Sequence, residues 1–290
     1  MAFGGWRLAT VDFLMILHCG NFQLKLSRPL VMGIINVTPD SFSDGGLHLD
    51  LEAALAHARQ LIDEGADILD IGGESTRPGA LPVSMQQELA RVLPVIEGLH
   101  GVSVPISVDT SKPKVMREAI AAGVQMVNDI NALSDVAAMD AIASSDVAVC
   151  LMHKQGDPQT MQAQPQYQNV VTDVADYLCK RIAAAEAAGI QRNRIVIDPG
   201  FCFGKTLEHN LALLRELGKL AELGVPVLAG LSRKSMLGAL TGQEVWQRLP
   251  ASIAAALIAV QRGAAIVRVH DVRATVDALK ILNAVNGEVA

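Results

Sequence analysis

Residues that can bind a polar ligand recur in this sequence where short β-branched runs end. In the clearest case, Ile106–Val108 is followed at once by Asp109 and then by the Ser/Lys/Pro start of a helix. Such runs occur near residues 31–37, 67–71, 104–108, 125–129, 147–151, 194–198, 225–230 and 265–269. They close with Asn36, Asp70, Asp109, Asn128, Met152 and His153, Asp198, Ser232, and Arg268 and His270. Because the ends of parallel barrel strands converge on one face, these residues are candidates for one site.

Asp109, Asn128 and Asp198 end three different runs. Together they offer carboxylate and amide acceptors to a flat heterocycle with amino and ring N–H donors. A carboxylate can accept two parallel hydrogen bonds from such an edge, which makes recognition selective. The alternative is that the aspartates cap helices, since a strand-end Asp is also a common N-cap residue.

A basic segment, Ser232–Ser235, lies between the seventh run and a helix that is expected to begin near Met236. With Ser235 as the N-cap, the helix N-terminus, Lys234 and Arg233 would form a carboxylate or phosphate site. The alternative is an exposed basic turn.

The last run ends in Arg268-Val269-His270. Strand alternation places Arg268 and His270 on the same side, as two donors directed at one anion. Barrels often bind phosphate near their last two strands. His153, which follows Met152, is interpreted as structural.

The elements that must position these residues alternate between strand and helix. The helical segments include Leu51–Glu64, Gln86–His100, Pro113–Ala122, Val170–Ala188, Leu207–Leu223, Ala251–Gly263 and Ala274–Ala284. This order predicts βαβ crossovers and a parallel sheet. A doubly wound sheet normally carries a GxGxxG turn, which is absent, so a single (β/α)8 TIM barrel is favoured. Phe22, Leu24 and Leu26 alternate like a half-buried strand, which predicts a strand or hairpin at the bottom of the barrel.

Length and composition favour one domain over residues 1–290, with residues 1–26 as an N-terminal extension in which Met15 is a possible alternative start. A net charge of −6 argues against nucleic acid as a partner. The longest apolar runs stay short of the roughly 18 residues of a membrane span. Four scattered cysteines without a CxxC pair fit a reducing cytoplasm.

The sequence contains no HxH motif, HExxH motif or Cys/His cluster that would predict a zinc site. A hard cation such as Mg2+ needs only a few oxygen ligands, and Asn36 could supply one. Asn36 opens a polar, Gly-rich loop that runs to Gly46, and a second such loop covers residues 72–79. Loops of this kind on an active-site face are expected to be functional.

These motifs together resemble the dihydropteroate synthase family over about residues 31–276. The matching segments are residues 33–42, 72–79, 107–110, 128–130, 152–153, 198–201, 232–235 and 268–271. The resemblance implies an enzyme that joins 4-aminobenzoate to (7,8-dihydropterin-6-yl)methyl diphosphate, releasing diphosphate and 7,8-dihydropteroate. It also implies a homodimer.

The resemblance further implies roles for individual residues. Asp109, Asn128, Asp198 and Lys234 would hold the pterin, with Met152 beside them. Asn36 would bind Mg2+, and Thr76, Arg268 and His270 would bind the diphosphate, with Val269 as a further substrate-binding residue. The aminobenzoate would be surrounded by Thr76, Arg77, Pro78, Phe203 and Ser235. Asp109, Lys234, Arg268 and His270 would act on the reacting groups.

One residue departs from the family pattern, because Cys202 stands where the family usually has glycine. If a positive φ is required there, the loop that carries Phe203 is expected to shift. Two alternatives remain open: a pterin-binding methyltransferase that passes a methyl group from methyltetrahydrofolate to a corrinoid protein, and a non-catalytic paralogue.

Overall fold

The computed structural model describes residues 15–37, 47–75, 82–156, 161 and 165–287. Eight parallel strands close into a barrel in the order β10-β3-β4-β5-β6-β7-β8-β9, which confirms the predicted TIM barrel. The barrel strands are β3 (Leu30–Asn36), β4 (Ile68–Gly72), β5 (Ile106–Asp109), β6 (Met126–Asp129), β7 (Ala148–Met152), β8 (Ile195–Asp198), β9 (Val227–Ala229) and β10 (Ala264–Val269). Their bounds lie close to the eight runs identified in the sequence.

Helices connect successive strands and cover the barrel. They are α1 (Leu47–Asp63), α2 (Met85–Gly98), α3 (Pro113–Ala121), α4 (Val136–Ala143), α5 (Val170–Ala187), α6 (Leu207–Arg215), α7 (Gly218–Ala221), α8 (Ser235–Thr241), α9 (Leu249–Gln261) and α10 (Val272–Asn286). In the ranges that the structure describes, no helix is both long and apolar enough to span a membrane.

Two helical segments differ from the sequence prediction. The expected helix 207–223 is broken into α6 and α7. Gly218 has low helix propensity, and Arg262 Nη1 donates a hydrogen bond to the carbonyl oxygen of Arg215 at 2.7 Å, at the end of α6. The short α4 was not predicted. It is Ala-rich, and it begins where the Asp135 side chain accepts a hydrogen bond from Ala137 N at 2.7 Å.

An antiparallel hairpin of β1 (Ile16–Cys19) and β2 (Phe22–Lys25) precedes the barrel. Its buried residues Leu17 and Cys19 pack, with Leu26, against apolar side chains in the barrel interior. Those interior residues are Leu30, Met32, Ile68, Met126, Ala148, Cys150, Val196, Leu228 and Ile266. The hairpin therefore closes the N-terminal end of the barrel, as the alternation of residues 22–26 predicted. Residues 1–14 lie outside the described part of the chain.

The period of two along the strands divides the barrel interior into two layers. The lower layer is apolar and packs on the hairpin, whereas the next inward positions towards the strand C-termini are polar. These upper positions are Asp70, Ser107, Asp109, Asn128, Asp198 and Arg268. The same alternation thus builds a hydrophobic core below and a charged floor above.

Candidate active site

Arg268 lies at the centre of the charged floor. Its Nε donates to Asp70 Oδ2 at 2.5 Å, and its Nη2 donates to Asp109 Oδ2 at 2.8 Å. Asn128 Nδ2 also donates to Asp70 Oδ2, at 3.2 Å. Burial opposes the Arg268 charge, but the two carboxylates outweigh it and raise the pKa of the guanidinium. Arg268 therefore remains a cation held in a fixed plane.

Asp70 was one of the strand-end candidates, but no role in ligand binding was predicted for it. Its side chain is fully buried in the interior of β4, between Arg268 and Asn128. A carboxylate inside an otherwise apolar strand, Ile68–Gly72, is the sequence signal that could have identified it, because buried charges are almost always paired.

Four oxygens on the floor have no hydrogen-bond partner within the described residues: the acceptors Oδ1 of Asp70, Oδ1 of Asp109 and Oδ1 of Asn128, and the hydroxyl of Ser107. Leaving such a buried group unsatisfied costs ~1–3 kcal/mol, so most buried polar groups in native proteins are paired. The three acceptors together indicate a surface that is complementary to a ligand rich in N–H donors.

Burial is the main cause of the altered protonation of Asp109. It raises the pKa of this carboxyl to about 7, an effect that Arg268 opposes and that Asp70, Glu88 and Asp129 reinforce. Burial also raises the pKa of Asp198, against the pull of Lys234. A ligand that donates hydrogen bonds to these carboxylates favours their charged form and lowers both pKa values.

Lys234 lies beside Asp198 and faces the loop after β8. Its Nζ donates to Phe201 O at 2.5 Å and lies 4.6 Å from the centroid of the Phe203 ring. Burial lowers the pKa of Lys234, although Cys202 and Asp198 act in the other direction. Gly230 leaves room here, because a Cβ at that position would be 3.8 Å from Asp198 Oδ2 and 4.0 Å from Lys234 Nζ.

The structure corrects the predicted roles of two neighbours of Lys234. Arg233 forms an ion pair with Asp271, with Nη2 2.5 Å from Oδ1 and Nε 3.0 Å from Oδ2, so it belongs to the outer rim and not to the anion site. Ser235 is the first residue of α8, and Lys234 holds the N-cap position without a side-chain hydrogen bond. The basic segment therefore directs one cation, Lys234, towards the floor.

The capping alternative for Asp109 is wrong. The N-cap of α3 is Lys112, which leaves the Asp109 carboxylate for Arg268. Asp198 does not cap a helix either, because the N-cap of α6 is Thr206. Its Oδ1 accepts from Gly200 N at 2.7 Å within the following turn, and the side chain is buried on the floor.

His270 follows β10, and its Nδ1 lies 3.0 Å from Ser232 Oγ. Met152 and Val269 are buried at the ends of β7 and β10, respectively. Thr76, Arg77 and Pro78, like residues 38–46, lie outside the described residues. Their assignments to the aminobenzoate and diphosphate stay predictions.

The chain matches known proteins over most of its length. A family model described as pterin binding enzyme covers residues 32–270. The dihydropteroate synthase of Neisseria meningitidis serogroup C is 55% identical over 268 residues, which cover 91% of this chain and 95% of that protein. The chain belongs to the dihydropteroate synthase family.

Solved structures of this family have the same fold. Xanthomonas albilineans dihydropteroate synthase with 4-aminobenzoic acid is 56% identical, with a TM-score of 0.88 and coverage of 93% of this chain and 98% of that chain. Burkholderia cenocepacia dihydropteroate synthase with 7,8-dihydropteroate is 51% identical, with a TM-score of 0.87 and coverage of 94% and 97%.

Cys202, the departure from the dihydropteroate synthase pattern, adopts the conformation that glycine would favour. Its φ is 66°, between Gly200 at 67° and Gly204 at 64°, and its backbone N donates to Asn210 Oδ1 at 2.7 Å. The loop therefore keeps a left-handed backbone at Cys202, and Phe203 lies against Lys234.

We expect Cys202→Val to lower the free energy of unfolding by about 1 kcal/mol, because Cys202 already carries the ~1–2 kcal/mol cost of the left-handed region and a β-branched residue adds strain there as a genuine outlier. Cys202→Gly should change it by less than about 1 kcal/mol, since relief of that strain offsets the loss of a small buried side chain. Urea denaturation of both variants checks this. Equal stability of the Val and Gly variants would contradict it.

Proposed function

We propose that this chain condenses (7,8-dihydropterin-6-yl)methyl diphosphate with 4-aminobenzoate to 7,8-dihydropteroate and diphosphate, a step of folate biosynthesis. The observation that carries the proposal is the group of unpaired acceptor oxygens on Asp70, Asp109 and Asn128 around one fixed guanidinium. A reduced pterin presents amino and ring N–H donors to such acceptors. The names of the relatives agree with this reaction.

Binding of the pterin would begin with Asp109, Asn128 and Asp198. Their acceptors fix the ring, and Lys234, which lies beside Asp198, donates to a ring acceptor. Arg268 and His270, at the end of β10, would hold the diphosphate. Bringing both ends of the substrate to fixed partners orients the methylene carbon between them.

Catalysis would depend on stabilising the positive charge that develops on the substrate. Departure of diphosphate leaves positive charge on the pterin methylene group, and the buried Asp109 carboxylate opposes that charge in a site of low dielectric. The arylamine nitrogen of 4-aminobenzoate then attacks the methylene carbon and loses a proton. No strong base or covalent nucleophile is required.

The residues present fit a role for Mg2+. Asn36 Oδ1 and Asp109 Oδ2 each lie 3.9 Å from the position that a Cβ on Gly72 would occupy, so two hard oxygen donors face a space that glycine keeps open. Asn36 would hold the ion, with diphosphate oxygens and water as the other ligands. When bound, Mg2+ would neutralise the leaving diphosphate.

The decisive assay follows formation of 7,8-dihydropteroate from labelled 4-aminobenzoate and the pterin diphosphate, with and without Mg2+. Mg2+-dependent product supports both proposals, and product without Mg2+ supports only the reaction. Binding of the pterin diphosphate without any product would instead favour a non-catalytic paralogue. No observation favours the corrinoid methyltransferase.

We also propose that the chain forms a homodimer through the outer face of α9 and α10. Large apolar side chains are exposed here, which is unusual for a monomer when they form a contiguous patch. They are Ile258 at 43%, Ile281 at 69% and Val285 at 80% exposure, and Trp246, at 72%, lies in the short turn that precedes α9. A cytoplasmic location stays a prediction from the cysteine pattern.

Ile281→Glu should convert this dimer into monomers, because it places a charge in the middle of the proposed apolar interface. Val136→Glu is the matched control, since Val136 is 76% exposed on α4, away from this face. Sedimentation velocity measures both variants. A wild-type monomer, or an unchanged sedimentation coefficient in Ile281→Glu, would remove this face from consideration.

A further inference from the structure

A second buried lysine supports the active-site loop from behind. Lys205 is 3% exposed, and its Nζ lies 2.9 Å from His153 Nδ1 and 3.1 Å from Phe203 O. It is distinct from Lys234, which bonds to Phe201 O on the other side of the same loop. None of the roles predicted above includes Lys205.

The Lys205 amine is buried among polar partners. Burial lowers the pKa of Lys205 to about 7 and that of His153 to about 3. Asp198 and Cys202 favour the charged amine, and Lys234 opposes it. In either protonation state the amine has an N–H donor for Phe203 O and a second for His153 Nδ1 in the tautomer that leaves this nitrogen unprotonated.

The loop that Lys205 contacts needs external support. Gly200, Cys202 and Gly204 all have φ near +65°, so the backbone reverses repeatedly within five residues. Lys234 fixes the Phe201 carbonyl, and Tyr167 Oη donates to Gly204 O at 2.9 Å. Lys205 holds the carbonyl of Phe203 itself, the residue whose ring covers Lys234.

The same amine also reaches the pterin side of the site through His153. The backbone N of His153 donates to Asp198 O at 2.9 Å, where β7 and β8 end. The His153 ring packs edge-on against Tyr177, at 4.9 Å between centroids, so it is fixed independently of the loop. Lys205 therefore ties the Phe203 loop to a rigid part of the barrel.

We propose that Lys205 is a positioning residue that sets the place of the Phe203 ring and thereby the affinity for 4-aminobenzoate. This inference rests on the proposed function, in which Phe203 lines the aminobenzoate site. It predicts a larger effect on 4-aminobenzoate than on the pterin diphosphate, because the Lys205 amine contacts Phe203 O directly but reaches the pterin-binding Asp198 only through the ring and backbone of His153.

The test compares Lys205→Met with Arg194→Met. Arg194 is the matched control because it is also a buried cation that holds backbone carbonyls, those of Val147 and Ile142, but it precedes β8 at the opposite end of the barrel. In Lys205→Met we expect the KM and calorimetric Kd for 4-aminobenzoate to rise about tenfold, on the scale of losing one support of a buried carbonyl. The Kd for the pterin diphosphate should stay within about twofold.

Lys205→Gln keeps an N–H donor and should show a smaller rise. Arg194→Met should lower the thermal midpoint and leave both affinities unchanged. Unchanged affinity for 4-aminobenzoate in Lys205→Met, or an equal change for both substrates, would overturn the inference. Because calorimetry needs no turnover, a wild-type chain that binds both substrates without forming product contradicts the proposed function while Lys205 is still tested.

Discussion

Asp109→Asn should lower turnover by roughly 10²-fold or more while the fold is preserved, which is the scale of losing one fixed electrostatic group in an active site. The amide keeps the shape of the side chain and one contact with the floor. It removes the negative charge that opposes the developing methylene cation. Steady-state kinetics, with circular dichroism as the check on folding, measures the effect.

The ionisation of Asp109 should also appear in the pH dependence of activity and stability of the wild type. The pKa of Asp109 is raised to about 7, so kcat/KM of the free enzyme should rise as pH increases through about 7. The free energy of unfolding should instead fall as pH rises over this range. A carboxyl whose pKa is raised in the folded state stabilises the protein fully below its unfolded pKa of ~3.9, and this contribution is lost as pH rises through the folded pKa. Asp109→Asn should lose the rise in kcat/KM and only part of the fall in stability, because the pKa of Asp198 is also raised. Near-normal turnover in this variant would remove Asp109 from the mechanism.

Arg268→Ala should have two separable effects. It leaves the buried Asp70 and Asp109 carboxylates without their shared cation, and breaking a buried ion pair on one side costs about 3–5 kcal/mol of unfolding free energy. It should also weaken binding of diphosphate. Urea denaturation measures the first effect, and calorimetric titration with diphosphate measures the second.

A second substitution separates these effects. Arg268→Ala combined with Asp70→Asn should recover part of the stability, because one uncompensated charge is removed, but it should not recover diphosphate affinity. Arg28→Ala is the control, since Arg28 pairs with Asp67 at the surface, where such pairs contribute about 0–1 kcal/mol. Diphosphate affinity that is unchanged in Arg268→Ala would exclude a direct role in anion binding.

The strand-end residues illustrate what could be predicted. Asp109, Asn128, Asp198 and Arg268 were recognisable because each stands where an apolar run stops, and a closed parallel barrel brings all such ends together. Asp70 was identified with them, but its pairing with Arg268 and Asn128 could not be read from the sequence. A hairpin was predicted as an alternative to a single strand, but its first strand, Ile16–Cys19, was not located, since its pairing with Phe22–Lys25 depends on a turn rather than on periodicity.

The basic segment shows where sequence reasoning reaches its limit. Arg233 and Lys234 are adjacent and equally charged, yet one forms an ion pair with Asp271 at the rim and the other reaches Phe201 O over the floor. That choice depends on the backbone at Arg233, whose φ is 57°, and on residues 38 positions away in the chain. The local spacing of the sequence reveals neither the backbone conformation at Arg233 nor the contact with Asp271.

By itself, the sequence determined the barrel, the face that carries the site and the carboxylate and amide side chains on its floor, because strand period and strand ends are local properties of the chain. Only the tertiary structure decided which charges neutralise one another, which acceptors stay unpaired and which lysine supports the Phe203 loop. These outcomes depend on distances between residues from different strands, such as Asp70 and Arg268, and on burial, which strengthens each of their interactions.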